Sequence, residues 1–123
     1  AVDPAEVVGN AVITDIGNVG SADMVAEIAD FLLRLHGAER AIAIGRKENT
    51  LTVSLRTSDP YAHAGRLIRE AVRGLGTAGG HGTMAGGQIP VSDNTQEEVT
   101  AQIRAALLEV VGVGDVTPEP LVR

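Results

Sequence analysis

The sequence predicts a single α/β domain, a mixed β-sheet with helices packed on it. Three observations carry that prediction. Segments with strand periodicity and segments with helical periodicity alternate along the chain. Residues 40–47 are apolar on both faces, as in a strand covered on both sides, whereas residues 51–56 alternate cleanly between apolar and polar side chains. Hydrophobic residues make up 44% of the 123, yet only 2% are aromatic, so the core is built from Ala, Val, Ile and Leu and helices can approach the sheet closely.

Residues 1–10 read as a linker remnant or a short helix, with Pro4 suited to a first helical turn after Asp3. The domain proper spans 11–112. Residues 11–17 are the first strand. Ser21 suits an N-cap and Asp23 the first turn of a helix. Its stripe is Val25, Ile28, Leu32 and Leu35, flanked by Met24 and Phe31, and Gly37 stops it. Residues 40–47 and 51–56 then form a β-hairpin about Glu48-Asn49, since Asn tolerates the left-handed region. The polar side of the second strand carries Thr52, Ser54 and Arg56. Asp59-Pro60 marks a second helix, with Asp as N-cap and Pro at the first position. Its stripe is Ala64, Leu67, Ile68, Ala71, Val72 and Leu75, and Arg66, Arg69 and Arg73 fall in one sector opposite. Those three arginines read first as a solvated face and second as a basic rim. Gln88 to Val91 is a short strand, with Pro90 at an edge or strand end. Thr95 and Glu98 fit a capping box for a last helix along Val99, Ile103, Leu107 and Val110, which Gly112 ends. Residues 113–123 read as an extended C-terminal tail. The expected order is β-α-β-β-α-(Gly-rich loop)-β-α.

The loop in that order is residues 78–87, Ala-Gly-Gly-His-Gly-Thr-Met-Ala-Gly-Gly, five of whose ten residues are glycine. Glycine permits positive φ and close backbone approach, and successive N–H groups in such a turn can form an anion-binding nest. His81 can donate to a phosphate oxygen, more strongly as imidazolium. Arg56 closes the polar strand face, so its guanidinium can project past the strand end and supply a fixed bidentate fork to one phosphate site shared with His81 and the Gly79-Gly80 backbone. Gly79, Gly80, His81, Thr83 and Arg56 are therefore the candidate substrate-binding residues.

The same residues carry a resemblance. Residues 79–86, Gly-Gly-His-Gly-Thr-Met-Ala-Gly, resemble the G-G-G-H-x-x-A-A-G signature of the C-terminal DHH-associated (DHHA1-type) domain of the DHH-family phosphoesterases. Residues 53–58, Val-Ser-Leu-Arg-Thr-Ser, look like that family's V-S-L-R-S strand, and residues 28–33 like its A-D-x-L-L helix. Together they span roughly residues 11 to 91. The departures are Ala78 at the first glycine, Gly82 where a basic residue is frequent, and Met84 at the first alanine of the pair. The resemblance implies the same fold and substrate contacts from the same two motifs. It implies a catalytic Mn²⁺ pair in a separate N-terminal DHH domain, and a cytoplasmic protein. A related domain closes some alanyl-tRNA synthetases, as an RNA-binding and dimerising module, with a glycine-rich loop that lacks the histidine.

Several chemistries are excluded or confined. There is no Cys, so no disulfide or thiolate site. The net charge of −6 argues against broad binding to a nucleic-acid backbone and allows a local basic patch, for which nine Arg against the single Lys47 are well suited. The three His are far apart in sequence and outside any D-x-D or D-H-H cluster, and there is no P-loop, dinucleotide fingerprint or nucleophile elbow. No apolar run approaches the roughly 20 residues that span a bilayer. The chain, beginning Ala1-Val2-Asp3-Pro4 without Met, reads as a piece of a longer protein. The expectation is a substrate-recognition domain, inactive as a hydrolase by itself, with no metal site. Its ligand would be a phosphate-containing nucleotide or a short single-stranded nucleic acid, and its first partner the DHH domain of the same protein, with room for a homodimer. The alternatives are the synthetase-type RNA module and a stand-alone small-molecule phosphate binder or assembly domain.

Overall fold

The computed structural model describes residues 5–112 and 119–120. Its elements are β1 (Glu6–Val8), β2 (Ala11–Asn18), α1 (Ala22–His36), β3 (Arg40–Lys47), β4 (Thr50–Thr57), α2 (Ala64–Val72), β5 (Thr77–His81), β6 (Met84–Pro90), α3 (Gln96–Val110) and the two-residue β7 (Glu119–Pro120). Among the described residues the sheet has seven strands in the order β5-β6-β4-β3-β2-β1-β7. β2 and β3 run parallel, joined by the crossover helix α1, and every other neighbouring pair is antiparallel. This is the mixed α/β architecture the sequence predicts.

The side-chain alternation of β3 and β4 decides which helix sits where. Ile42, Ile44, Leu51, Val53 and Leu55 point to one face and cluster with Ile68 and Val72 of α2 and Ile103 and Leu107 of α3. Ala41 and Ala43 point to the other face and meet Val12, Val25, Ala29 and Leu32 under α1. Small residues on that side of β3 set the approach of α1. A Cβ on Gly45 would come within 2.8 Å of Val25 Cγ2. Arg46, buried at the end of β3, donates to Glu48 O at 2.6 Å, to Asp93 at 2.9 Å and to Gln96, and so ties the start of α3 to the β3–β4 turn. Arg104 pairs with Glu6 and joins α3 to β1.

Several details depart from the sequence reading. The glycine-rich stretch is a β-hairpin, β5 and β6, closed by Gly82 and Thr83. Gly82 sits at φ +61, which closes the tight turn, and the strand expected over Gln88 to Val91 is instead β6, which begins at Met84 and is covered at the sheet edge by β5. Glu6–Val8 is a strand paired with β2, where a linker remnant or short helix was expected. The second helix starts at Ala64, five residues after Asp59. Asp59 Oδ1 instead accepts the Tyr61 N–H at 2.9 Å in an Asx turn, and Gly82 O accepts the Ala64 N–H at 3.1 Å. Thr95 marks the start of α3 but makes no cap. Its Oγ1 accepts the Ser92 N–H at 2.9 Å, so the reciprocal capping box does not form. In the β3–β4 turn the positive φ falls on Glu48, whose carbonyl Arg46 holds. Of the tail, Glu119–Pro120 pairs with β1, and the rest of that expected extended segment lies outside the described residues.

α2 lies on β5 almost backbone to backbone. A Cβ on Gly65 would fall 2.1 Å from Gly80 O. We predict that Gly65→Ala lowers the free energy of unfolding by roughly 1–3 kcal/mol in urea titration. Gly20→Ala, which would meet nothing within 4 Å, should stay within about 0.5 kcal/mol of the parent.

Candidate functional site

The register of the β4–β6–β5 ribbon assembles the site. Arg56 pairs with Met84, and Met84 with His81. Ser54 pairs with Gly86, and Gly86 with Gly79; Thr52 pairs with Gln88, and Gln88 with Thr77. Residues directly opposite each other share a face, so these are three cross-strand rows on one side of the sheet. That side is the one α1 occupies, and α1 stops short of β6 and β5. The middle row has two glycines, so the floor there is bare backbone. The outcome is an open groove. Its Arg56–His81 end, reaching Ala26 of α1, holds about 310 Å³. The Thr52–Thr77 end, reaching Ala22, holds about 410 Å³, and the two ends share Ser54, Gly79 and Gly86.

Arg56, Gly79, Gly80 and His81 all line the first end, so the structure brings four of the five candidate residues together. Thr83 is placed apart. It sits in the hairpin turn, where its carbonyl accepts the Thr57 N–H at 3.0 Å. Three features of the arrangement differ from expectation. First, Gly79 and Gly80 are strand residues, Gly80 at φ +150, so the convergent nest expected of a loop is replaced by strand backbone on which Gly79 and its partner Gly86 form a flat glycine floor. Second, Met84, 55% exposed, stands between Arg56 and His81. With strands about 4.8 Å apart, the two basic residues rise from backbones about 10 Å apart. Third, Arg56 does not project past the strand end. It is 8% exposed, its Nη1 donates to Leu55 O at 3.2 Å, and its Nε lies 3.7 Å from Asp30 Oδ1 of α1. Nε is buried without a hydrogen bond among the described residues. Asp30 also holds Arg34 at 3.3 Å, so one carboxylate balances two guanidinium groups and the trio carries net positive charge.

Arg66, Arg69 and Arg73 are exposed on and just after α2, on the sheet face opposite the groove, and the Arg69 guanidinium lies by Gly65, where α2 meets the Gly80 carbonyl. His63 is exposed just before α2. Residues the sequence reading did not name as site residues are Ser54, whose buried side chain faces the groove, Asp30, which pairs with Arg56, and Ala26, whose small side chain keeps the groove wall low. The polar alternation of β4 was the available signal for Ser54. A separate cleft of about 380 Å³ lies on the opposite face, between α3 and β1–β3. It is lined by Glu6, Asp15 and Glu97 with Arg104 already paired, a poor setting for an anion. Among the described residues no three His, Asp or Glu side chains are placed to hold a metal ion. No helix among them is long and apolar enough to cross a membrane.

Fold and groove together define a mixed α/β domain with a glycine-floored, locally basic groove on one sheet face. The chain belongs to the DHHA1 domain family, whose profile matches residues 9–111. It is 32% identical over 113 residues to an uncharacterized protein of Methanocaldococcus jannaschii, a match that takes in 85% of this chain and 23% of that protein. The chain thus spans about a quarter of the length of that curated relative. Among solved structures it is similar to the C-Ala domain of Aquifex aeolicus alanyl-tRNA synthetase, with a TM-score of 0.61 and 20% identity over 83% of this chain and 96% of that one. It is also similar to a DHH-domain structure from a family of ribosomal proteins, with a TM-score of 0.53 and 17% identity over 91% of this chain and 28% of that one. RecJ of Thermus thermophilus in complex with Mg²⁺ gives 0.51 and 18% identity, over 94% and 16%. At these identities the structural likeness defines the fold.

The ionic trio makes a testable statement. Asp30→Ala strands the buried Arg56 guanidinium and should cost about 1–3 kcal/mol of stability. Arg34→Ala removes only a pair whose side chains are 71% and 48% exposed, and should cost less than about 0.5 kcal/mol. Chemical unfolding of the two variants side by side checks the order.

Proposed function

We propose that this domain is the substrate-recognition half of a DHH-family phosphoesterase, and that its groove holds a phosphate-containing nucleotide or a short single-stranded nucleic acid. The observation that carries the reading is the row Arg56–Met84–His81 beside the bare Gly79–Gly86 floor. Two basic groups about 10 Å apart by strand spacing suit an extended sugar–phosphate segment better than a single phosphate clasped between them. One phosphate would sit at the Arg56 end, near the Ser54 hydroxyl. The chain would continue across the glycines, where no side chain stands in the way of a ribose or base. His81, at the open edge of the sheet, would meet the next phosphate or the substrate end. Met84, soft and exposed, offers a surface against which a base can lie.

The described residues do not fit a metal-assisted hydrolytic centre, since among them no cluster of metal-ligating side chains is found. In this reading the Mn²⁺ chemistry comes from a DHH domain of the same protein. This chain contributes position: holding the substrate in register against a metal centre converts binding energy into orientation.

The runner-up is an RNA-binding module of the alanyl-tRNA synthetase type, favoured by the likeness that takes in 96% of the Aquifex aeolicus domain. His81 favours the phosphoesterase reading over it.

A fluorescently labelled 5′-phosphorylated dinucleotide tests the proposal. His81→Ala should weaken its binding about ten- to a hundredfold, the equivalent of one charge-assisted hydrogen bond of roughly 1.5–3 kcal/mol, and Arg69→Ala should leave it unchanged. Tight binding of a tRNA with no response to His81→Ala would move the assignment to the synthetase type. The wild-type chain with Mn²⁺ should show no turnover of a chromogenic phosphodiester; turnover that His81→Ala abolishes would place catalysis in this chain.

A further inference from the structure

We infer that α1 is the contact surface of a two-fold symmetric dimer of this chain. Three of the large hydrophobic side chains that the structure leaves exposed lie on α1: Met24 at 42%, Phe31 at 54% and Leu35 at 56%. With the partly buried Ile28 they occupy positions 24, 28, 31 and 35. The 4-3-4 spacing is that of a coiled-coil seam. At about 100° per residue the four side chains fall within a sector of roughly 60°. That sector adjoins the core-facing stripe of Val25, Ala29 and Leu32: Ile28 stands at the boundary and packs on the core as well, whereas Leu35, expected in the buried stripe, is exposed.

The charges beside the seam commit it to a second copy. Glu27 and Arg34 lie on the same flank, one heptad apart, in the position where side chains of adjacent helices meet across a seam. In an antiparallel pair of α1 helices, Met24 packs on the partner's Leu35 and Ile28 on the partner's Phe31. The same register sets Glu27 against the partner's Arg34, and by symmetry Arg34 against the partner's Glu27. The patch is complementary to itself, as an isologous interface requires. In the monomer Arg34 meets Asp30 at 3.3 Å on the surface, a pair worth little by itself. The small residues Ala22 and Ala26, which wall the groove, lie across α1 from the seam, so this dimer leaves the groove open. The inference does not depend on what the groove binds.

Charge exchange tests it on the 123-residue chain. Glu27→Arg and Arg34→Glu each place like charges at both crossings and should weaken self-association about tenfold or more in sedimentation equilibrium. Mixing the two variants should restore a dimer, because one chain then carries arginine at both positions and the other carries glutamate at both. Both substitutions are on the surface, and unchanged far-ultraviolet circular dichroism checks the fold. A wild-type chain that stays monomeric at about 0.5 mM, as it would if the stripe docks another part of a longer protein, overturns the inference. So does a dimer that neither substitution weakens, or two weakened variants that fail to pair when mixed.

Discussion

The pairing of β6 between β4 and β5 is the constraint on which this structure depends. Every feature of the groove follows from it: which residues share a row, where the floor is bare, and how far apart the two basic side chains stand. The pairing needs glycine at several points. A Cβ on Gly76 would lie 2.1 Å from Gln88 O, and one on Gly80 would lie 2.3 Å from Met84 O. Gly65 lets α2 rest on the carbonyl of Gly80. Glycine is a weak strand former because it gives up more conformational freedom and packs no side chain. Here that loss is offset from below, where Ala85 and Ile89 of β6 are buried with Ile68 and Val72 of α2. One face of the ribbon is cemented by apolar packing while the other stays stripped of side chains. This asymmetry makes a surface that a ligand can lie on.

Charge follows a related logic. The chain is acidic overall, and its buried arginines are tethered. Arg46 is consumed by structural bonds to the β3–β4 turn and the start of α3. Arg56 is held less completely, by a half-exposed carboxylate that it shares with Arg34. A guanidinium that is buried, positioned and only partly neutralised is well placed for an anionic ligand, whose binding replaces hydration the side chain has already lost. The acidic balance elsewhere keeps such binding local rather than diffuse.

Much of the architecture is legible in the sequence where periodicity is strong. The two-sided apolar run of β3, the strict alternation of β4 and the glycine-stopped α1 are visible because burial imposes those patterns directly. The faces of β4 are legible too, and with them the pairing of Ser54 and Arg56 on one side. The hairpin is not, because glycine carries no alternation signal and a run of it looks like a loop. The start of α2 is misread for a different reason. Its first N–H is satisfied by Gly82, eighteen residues later, so Asp59 is free to make a local turn. β1 is three residues long, too short for any pattern to declare itself. The burial of Arg56 depends on Asp30, twenty-six residues earlier, and no local reading of β4 contains it.

On the proposed function, the ligand lies on the bare ribbon beside α1. The most direct measurement is a two-dimensional ¹⁵N–¹H nuclear magnetic resonance titration of the chain with a 5′-phosphorylated dinucleotide. Amide shift changes are expected only at Ser54, Gly79, His81, Gly86 and the adjoining first two turns of α1, with the α3 side of the sheet unmoved. Shift changes centred instead on Ile13, Thr100 and Arg104 in the cleft under α3, or no change at millimolar dinucleotide, would contradict that placement.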